Sequence, residues 1–252
     1  MKFIRFKYKG QERYGAINKD RVKFLISDYF SRELNFSNES ASLKDVELLA
    51  PCKPSKLVCL GKNYEDHALE MKSEVPQEPI VFIKPSTSVI GPGEEIIMPP
   101  QSKRVDYEGE LAVVISKTAK NIKQSQAMDY VLGLTCANDV TARDLQKGQW
   151  TVAKGFDTFC PLGPYIVSGL DPHNLELSTH LNGELRQKTS TGAMVFKVPF
   201  LIEYISHIMT LLPGDVILSG TPSGVGAVAT GDEISVEINQ IGILKNKAAK
   251  RI

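Results

Sequence analysis

The first 25 residues alternate apolar and charged side chains as a half-buried strand does. Ile4, Phe6 and Tyr8 alternate with basic residues, and this period of two is typical of a strand with one face in a core. Val22 to Leu25 predicts a further strand after a polar turn. The pattern therefore predicts a small N-terminal β-meander, followed by a polar, mixed segment over residues 26–50.

Short apolar runs dominate the chain after a proline-containing linker at residues 51–55. Strands are predicted over Leu57 to Leu60, Ile80 to Ile83, Leu111 to Ile115, Val131 to Cys136, Tyr165 to Val167 and Val216 to Leu218. A hairpin is predicted over Leu177 to Gln187, because Asn182-Gly183 suits a type I′ turn. Helices are predicted over Glu65 to Lys72, Ser125 to Tyr130, Ala142 to Lys147 and Pro199 to Leu211.

Strands outnumber helices and do not alternate with them regularly, which favours an α+β, mainly β fold over a doubly wound parallel sheet. We predict two units, a small β-rich domain at residues 1–54 and a main domain at residues 55–252.

Composition narrows the class of protein. Hydrophobic residues make up 42% of the 252 residues, enough for a sizeable core, and 30 basic side chains balance 29 acidic ones. This balance gives no basic surface for nucleic acid or an anionic membrane. No apolar run approaches the roughly 18 residues of a membrane span, and the N-terminus lacks the apolar stretch of a signal peptide. The four scattered cysteines suit small buried side chains, so we expect a cytoplasmic protein without disulfides.

The first candidate site is the pair Glu108 and Glu110, which precedes the apolar run Leu111 to Ile115. Residues two apart in a strand project from one face, so these carboxylates repel each other unless a cation or proton lies between them. A solvated strand edge carries such pairs too, and the pair alone leaves both interpretations open.

Asp139 follows the predicted strand Val131 to Cys136 and offers a third carboxylate. It could instead be the N-cap of the helix predicted after it. Together with Glu108 and Glu110 it supplies the oxygen ligands that Mg²⁺ or Mn²⁺ prefers. Zinc is disfavoured, because no histidine lies beside these acids in the sequence.

Three further groups carry possible chemistry. His67 and Glu70 are three apart and share a face of the predicted helix, where a carboxylate can orient an imidazole as a general base; an exposed helix pair is the alternative. Lys154 stands among apolar residues and glycine, although a surface lysine beside a turn has the same sequence. The glycine-rich turn at residues 219–226 could hold a carboxylate with its backbone N–H groups, or be a plain tight loop.

Seven segments, in this order, resemble the fumarylacetoacetate hydrolase family, with greatest similarity to its short acylpyruvases and 2-hydroxyhepta-2,4-diene-1,7-dioate isomerases. The segments are GKNYEDHALE, PIVFIKPSTSVIGPGEEIIMP, DYEGELAVVI, NDVTARDLQ, AKGFDTFCPLGP, LNGELRQ and GDVILSGTPSGVG. The resemblance covers residues from about 56 to 252, whereas the first 50 residues match only loosely.

The resemblance implies a mixed β-roll around one divalent cation, usually in a homodimer. It implies metal ligands at Glu108, Glu110 and Asp139, substrate-binding groups at Arg143, Gln146 and Thr221, and catalytic groups at His67, Glu70 and Lys154. The implied substrate is a small 2-oxo acid, as in aromatic catabolism.

The implied reaction is hydrolysis of a carbon–carbon bond in acylpyruvates. Isomerisation of 2-hydroxyhepta-2,4-diene-1,7-dioate and oxaloacetate-type decarboxylation need the same enolate, and the sequence leaves this choice open. A non-catalytic binding protein on the same fold is disfavoured, because all three carboxylates are present.

Overall fold

The protein is described here from a computed structural model that covers residues 1–31 and 33–250. The first ten strands are β1 (Lys2–Tyr8), β2 (Gln11–Asn18), β3 (Arg21–Leu25), β4 (Phe36–Ser42), β5 (Glu47–Leu48), β6 (Leu57–Gly61), β7 (Ile80–Lys84), β8 (Val89–Ile90), β9 (Glu95–Met98) and β10 (Val105–Tyr107). The next ten are β11 (Gly109–Ile115), β12 (Val131–Asn138), β13 (Thr141–Ala142), β14 (Cys160–Val167), β15 (Glu176–Leu181), β16 (Glu184–Ser190), β17 (Val216–Leu218), β18 (Gly226–Ala227), β19 (Glu233–Ile238) and β20 (Gly242–Lys250). The α-helices are α1 (Glu65–Glu70), α2 (Thr151–Lys154) and α3 (Val198–Ile208), and 3₁₀ turns cover Leu43–Asp45, Ser86–Ser88, Gln124–Tyr130, Arg143–Leu145 and Thr191–Ala193.

The strands of the described residues form three sheets. The largest has the path β4-β3-β2-β1-β14-β12-β11-β17-β6-β7, with β5 beside β1 and β8 beside β14. The second is β13-β10-β18 and the third β16-β15-β19-β20-β9. Antiparallel pairs dominate, but β17 runs parallel to β6 and β20 parallel to β9. The α+β, mainly β fold and its mixed sheets are therefore confirmed.

The apolar runs of the sequence are the central strands. All seven residues of β11 are buried, because β12 and β17 flank it in the sheet and side chains pack on both faces. All six strands predicted after the linker are present. The predicted hairpin is β15 and β16, and Asn182 and Gly183 have φ of 52° and 82°, the two positive values that a type I′ turn requires.

The four predicted helices differ from the structure in type or in length. The helix predicted over Glu65 to Lys72 ends at Glu70, and Ser125 to Tyr130 lies in the 3₁₀ turn Gln124–Tyr130. The helix predicted over Ala142 to Lys147 is wrong: Thr141 and Ala142 pair with β10, and a 3₁₀ turn at Arg143–Leu145 follows. Because the first residues of the predicted helix pair with a strand, too few residues remain to form an α-helix. The predicted helix Pro199 to Leu211 ends at Ile208, and the side chains it buries include Leu201, Ile202 and Ile205.

Several elements were not predicted, β4, β9, β19, β20 and α2 among them. Strand β4 has the polar sequence FSNESAS, and only Ala41 in it is buried. Helix α2 is four residues long and carries Lys154 at its C-terminal end; one turn is too short to show helical periodicity.

The N-terminal meander is confirmed as β1 to β3, and it continues the largest sheet. Lys2 pairs with Val167 and Phe3 with Ile166, which attaches β1 to β14. The division into domains at residue 54 stays a prediction.

Burial and length settle two further points. The four cysteines are free and buried, as predicted, and burial raises the pKa of Cys160 to about 12. No helix among the described residues is long and apolar enough to cross a membrane.

Candidate active site

The three predicted metal ligands lie together where β11 and β12 meet. Gly109 pairs with Asn138 across the two strands, so its neighbours Glu108 and Glu110 lie beside Asp139, the residue after Asn138. One carboxylate oxygen of each acid lies within 4.8 Å of the other two, and all three residues are buried. Asp139 is not a helix N-cap, because residues 141–142 form β13.

Gly109 allows this arrangement because the third sheet packs directly on it. A Cβ atom at this position would lie 2.0 Å from Oγ1 of Thr179 on β15. Its backbone N–H donates to Oε1 of Gln187 on β16 at 2.9 Å. Any larger residue would push the two glutamates away from the third sheet.

Two buried lysines neutralise the acids. Lys154 Nζ donates to Glu108 Oε2 and to Asp139 Oδ2, each at 2.6 Å. Lys84 Nζ donates to the other Asp139 oxygen at 2.5 Å and to the Val140 carbonyl at 3.0 Å. Lys154 is thus a buried residue of the site and is not a surface lysine. Lys84 was missed, although a lysine closing the apolar run Ile80 to Ile83 was a visible signal.

These charges shift the pKa values of the acids in opposite directions. Burial alone would raise the pKa of Glu108, but Lys154 and then Arg143 outweigh it and lower this pKa to about 2. Burial, and after it the charge of Asp139, raise the pKa of Glu110 well above its ordinary value. Glu110 Oε2 accepts a hydrogen bond from Gly220 N at 2.7 Å, and no lysine or arginine of residues 1–31 or 33–250 forms an ion pair with it.

The donor set fits a hard divalent cation. Three carboxylates supply only oxygen atoms, which Mg²⁺ and Mn²⁺ prefer. The raised pKa of Glu110 indicates that the two lysines leave one carboxylate uncompensated, and a cation would stabilise its charged form.

Arg143 is held beside the acids by three partners. Its Nε donates to Asp106 Oδ2 at 2.8 Å and its Nη1 to Gln146 Oε1 at 2.7 Å, while Nη2 donates to Glu108. Asp106 is fully buried and was not predicted as a site residue. The Gln146 amide nitrogen has no hydrogen-bond partner in the described part of the chain, so it is left to donate to a ligand.

Thr221 also lines the site, but its hydroxyl proton is used inside the protein. Oγ1 donates to the Gly109 carbonyl at 2.9 Å and accepts from Gln187 Nε2 at 2.8 Å. This oxygen can therefore only accept a hydrogen bond from a substrate.

His67 and Glu70 form a pair on α1. His67 Nδ1 lies 3.2 Å from Glu70 Oε2, and Glu70 Oε1 accepts from Gly224 N at 3.0 Å. Asp66 Oδ2 accepts from the Ser223 hydroxyl at 2.7 Å. Two acids of α1 thus attach this helix to the glycine-rich turn, which is more than a plain loop.

A cavity of about 210 Å³ joins these groups. Its polar lining is Lys62, His67, Glu108, Glu110, Arg143, Gln146, Lys154 and Thr221. Its apolar lining is Leu60, Met71, Phe82 and Trp150. The rings of Phe82 and Trp150 meet nearly edge to face at 5.2 Å between centroids. Asp139 lies behind the lining, covered by the two lysines.

Most of the chain matches the model of one protein family. Residues 56–249 match the family model described as fumarylacetoacetate (FAA) hydrolase, C-terminal, and residues 1–51 match one described as Rv2993c-like, N-terminal. The chain is 49% identical over 218 residues to oxaloacetate tautomerase FAHD2B, mitochondrial, of Bos taurus, covering 81% of this chain and 69% of that one. The structure of 5-carboxymethyl-2-hydroxymuconate delta-isomerase from Mycobacterium smegmatis is similar at a TM-score of 0.94, with 42% identity and full coverage of both chains. That of maleylpyruvate hydrolase from Sphingobium sp. SYK-6 is similar at 0.82, with 28% identity and full coverage of both.

Proposed function

The chain belongs to the fumarylacetoacetate hydrolase family, and from that premise we propose that it is a divalent-metal-dependent hydrolase of acylpyruvate-type 2-oxo acids. The membership confirms the resemblance of the seven segments. Members of this family are enzymes, and a hydrolase, an isomerase and a tautomerase are among the relatives.

One observation carries the hydrolase proposal: an oriented histidine shares a cavity with the acid cluster. Glu70 Oε2 is placed to accept a hydrogen bond from Nδ1–H of His67. This contact favours the neutral tautomer that has its proton on Nδ1 and its lone pair on Nε2. His67 lines the cavity, and Nε2 has no hydrogen-bond partner among the residues described. The imidazole is therefore available to take a proton from water.

The remaining groups suit the enolate that this cleavage produces. A cation held by Glu108, Glu110 and Asp139 would supply Lewis-acid polarisation of the 2-oxo group. The Lys154 ammonium offers positive charge at the same end of the cavity, where it stabilises negative charge on a substrate oxygen. Gln146 can donate its amide N–H to the substrate carboxylate.

The steps balance without a further reactant. His67 takes a proton from water, and the hydroxide oxygen bonds to the distal carbonyl carbon of the acylpyruvate. The bond between that carbon and the methylene carbon then breaks, and its electron pair becomes the pyruvate enolate. At its methylene carbon the enolate takes the proton that His67 holds, leaving pyruvate, a carboxylic acid and neutral His67.

Proton transfer between the keto and enol forms of a 2-oxo acid is the second candidate. It rests on the 49% identity to an oxaloacetate tautomerase and on the isomerase structure. It uses the same enolate and a base, but no attacking water. Oxaloacetate-type decarboxylation forms the same enolate by loss of carbon dioxide, and it needs neither an attacking water nor a base.

The test compares two reactions in two variants. General-base catalysis is typically worth about 10²–10⁴ in rate, so His67→Ala is expected to slow acetylpyruvate cleavage by a factor of that order, with Mg²⁺ saturating. Glu70→Gln is expected to do so more mildly, since it keeps the shape and loses the charge. Decarboxylation of oxaloacetate is expected to fall less, because it needs no activated water.

Pyruvate release measures both reactions, and His207→Ala on the exposed end of α3 is the matched control. Unchanged acetylpyruvate cleavage in His67→Ala would remove the hydrolase proposal. Equal losses on both substrates would assign His67 to substrate binding. A homodimer and a cytoplasmic location stay predictions.

A further inference from the structure

The carboxylate of Glu70 is only weakly held by its own helix. Its side chain is 34% exposed and lies at the C-terminal end of α1, which is six residues long. A side-chain pair three positions apart on a helix is a weak interaction, so the contact with His67 does not fix the carboxylate by itself. Among the residues described, one other group donates a hydrogen bond to it, the backbone N–H of Gly224, which lies 3.0 Å from Oε1. The orientation of His67 therefore depends on the direction of the Gly224 amide.

Gly224 has a backbone conformation that only glycine adopts readily. Its φ is 96°. A Cβ atom at this position would lie 2.1 Å from the carbonyl oxygen of Arg186 on β16, so a larger residue does not fit against this strand. Glycine is also the residue with the greatest freedom in φ and ψ. A fixed direction of the Gly224 amide therefore requires a further contact that holds this residue.

The hydroxyl of Tyr107 provides such a contact. It donates to the Gly224 carbonyl oxygen at 3.0 Å. Tyr107 also pairs with Gly226 where β10 meets β18. Its side chain belongs to a buried apolar cluster and the residue is 3% exposed, so packing fixes the ring that carries the hydroxyl. Tyr107 thus attaches the glycine-rich turn to β10 at the residue whose amide contacts Glu70.

We propose that Tyr107 is a positioning residue for the pair of His67 and Glu70. Its hydroxyl holds Gly224, and the Gly224 amide in turn holds Glu70 Oε1. Glu70 Oε2 then keeps the proton of His67 on Nδ1 and leaves the lone pair on Nε2. Tyr107 does not line the cavity, so it acts on the reaction only through these contacts. This inference rests on the proposed function for the role of His67 as the base.

Tyr107→Phe keeps the buried ring and removes only the hydroxyl. A neutral hydrogen bond changes an equilibrium by about 2- to 10-fold, so kcat for acetylpyruvate cleavage is expected to fall by that factor. The KM is expected to stay within about twofold, because substrate binding is not altered. Decarboxylation of oxaloacetate is expected to stay within about twofold, because it needs no general base. Tyr29→Phe is the matched control, since Tyr29 is 2% exposed and its hydroxyl has no hydrogen-bond partner within residues 1–31 and 33–250.

A double-mutant cycle shows whether the hydroxyl acts through Glu70. In a Glu70→Ala background no carboxylate is left to hold, so Tyr107→Phe is expected to cause no further loss of cleavage. The Mn²⁺ affinity of Tyr107→Phe, measured by calorimetry, is expected to equal that of the wild type, although Tyr107 precedes Glu108 in the chain. The same loss of cleavage in both backgrounds, or a loss of Mn²⁺ binding, would overturn the positioning role.

The tautomer of His67 tests the inference without turnover. The chain has four histidines, and the ¹⁵N resonances of the His67 ring are identified by their loss in His67→Ala. At alkaline pH, where imidazoles are neutral, the wild type is expected to carry the ring proton on Nδ1, and Tyr107→Phe is expected to move it to Nε2 in part of the molecules. A wild-type enzyme that releases no pyruvate would remove the hydrolase proposal alone, whereas the same tautomer in wild type and Tyr107→Phe would overturn the role of Tyr107.

Discussion

Buried carboxylates and buried cationic side chains lie against one another at the ends of β11 and β12. Lys154 bridges Glu108 and Asp139, and Lys84 holds Asp139 from the other side. The stability of each buried charge depends on its partners, because a buried charge without an oppositely charged partner loses its hydration and gains no attraction in return. Glu110 is the member without a cationic partner in the described chain, and it is therefore the carboxylate most in need of a bound cation.

The first prediction concerns Glu110. Glu110→Ala leaves two acids that Lys154 already neutralises, so the variant is expected to lose Mn²⁺ binding and activity. The loss in affinity is expected to exceed the roughly 10- to 100-fold that follows removal of an outer-shell partner of a metal site. Calorimetry measures Mn²⁺ binding, and Glu237→Ala, exposed on β19, is the control. Full activity in the presence of a strong chelator would contradict the metal site.

The sequence predicted which residues form this site better than it predicted the contacts between them. Spacing by two places Glu108 and Glu110 on one face in any strand. In contrast, Asp106 contacts Arg143, which is 37 positions away in the chain, and Lys84 contacts Asp139, which is 55 positions away. Local periodicity carries no information about such pairs, because they form only once β10 pairs with β13 and β7 joins the largest sheet.

Strands with continuous apolar runs were predicted, whereas strands of polar or mixed sequence, such as β4, β19 and β20, were not. The run Leu111 to Ile115 in β11 is apolar throughout, so the sequence predicted this strand. The segment after Asp139 has a helical pattern, but its residues 141 and 142 pair with β10 as a strand. Tertiary pairing thus overrides a local preference, and it turns Arg143 back toward Asp106 and Glu108.

At the level of elements, α1 and the segment after it are expected to behave as a lid. The helix is six residues long, Leu69 on it is 67% exposed, and side-chain contacts with Ser223 and Gly224 help to hold it. We expect residues 65–78 to exchange amide hydrogens faster than β11, and to slow when oxalate binds.

Hydrogen exchange followed by mass spectrometry reads both segments in one experiment. Oxalate added to Glu110→Ala is the control, because a variant without the cation is not expected to bind it. Exchange over residues 65–78 that is slow without oxalate, and no slower with it, would count against a lid.

For the whole molecule, one buried acid holds the junction between the linker after the N-terminal meander and the largest sheet. Asp215, just before β17, accepts from Ser55 N at 3.0 Å, Ser55 Oγ at 2.6 Å and Leu212 N at 2.8 Å, and it also pairs with Lys56. Asp215 is fully buried. It therefore fixes the linker, which the sequence showed only as a boundary near residue 54, to the start of β17 in the largest sheet.

We expect Asp215→Asn to destabilise the protein by about 2–3 kcal/mol, because hydrogen bonds to a charged group are lost from a buried site. The free energy of unfolding in urea at neutral pH measures this. The exposed Asp45→Asn, in the 3₁₀ turn Leu43–Asp45, is the control and is expected to change it little.

The same variant predicts a dependence of stability on pH. Burial alone would raise the pKa of Asp215, but the hydrogen bonds from Lys56 and Ser55 outweigh it and lower this pKa below the ordinary value. A lowered pKa in the folded state means that the unfolded chain binds the proton first as the pH falls. The contribution of Asp215 is therefore complete above the pKa of an unfolded aspartate, about 3.9, and disappears as the pH falls through the lower folded value. The difference in unfolding free energy between wild type and Asp215→Asn is expected to be constant from neutral pH to about pH 5 and to shrink below it. A difference that grows on acidification would show that the interaction of Asp215 with Lys56 does not hold this junction.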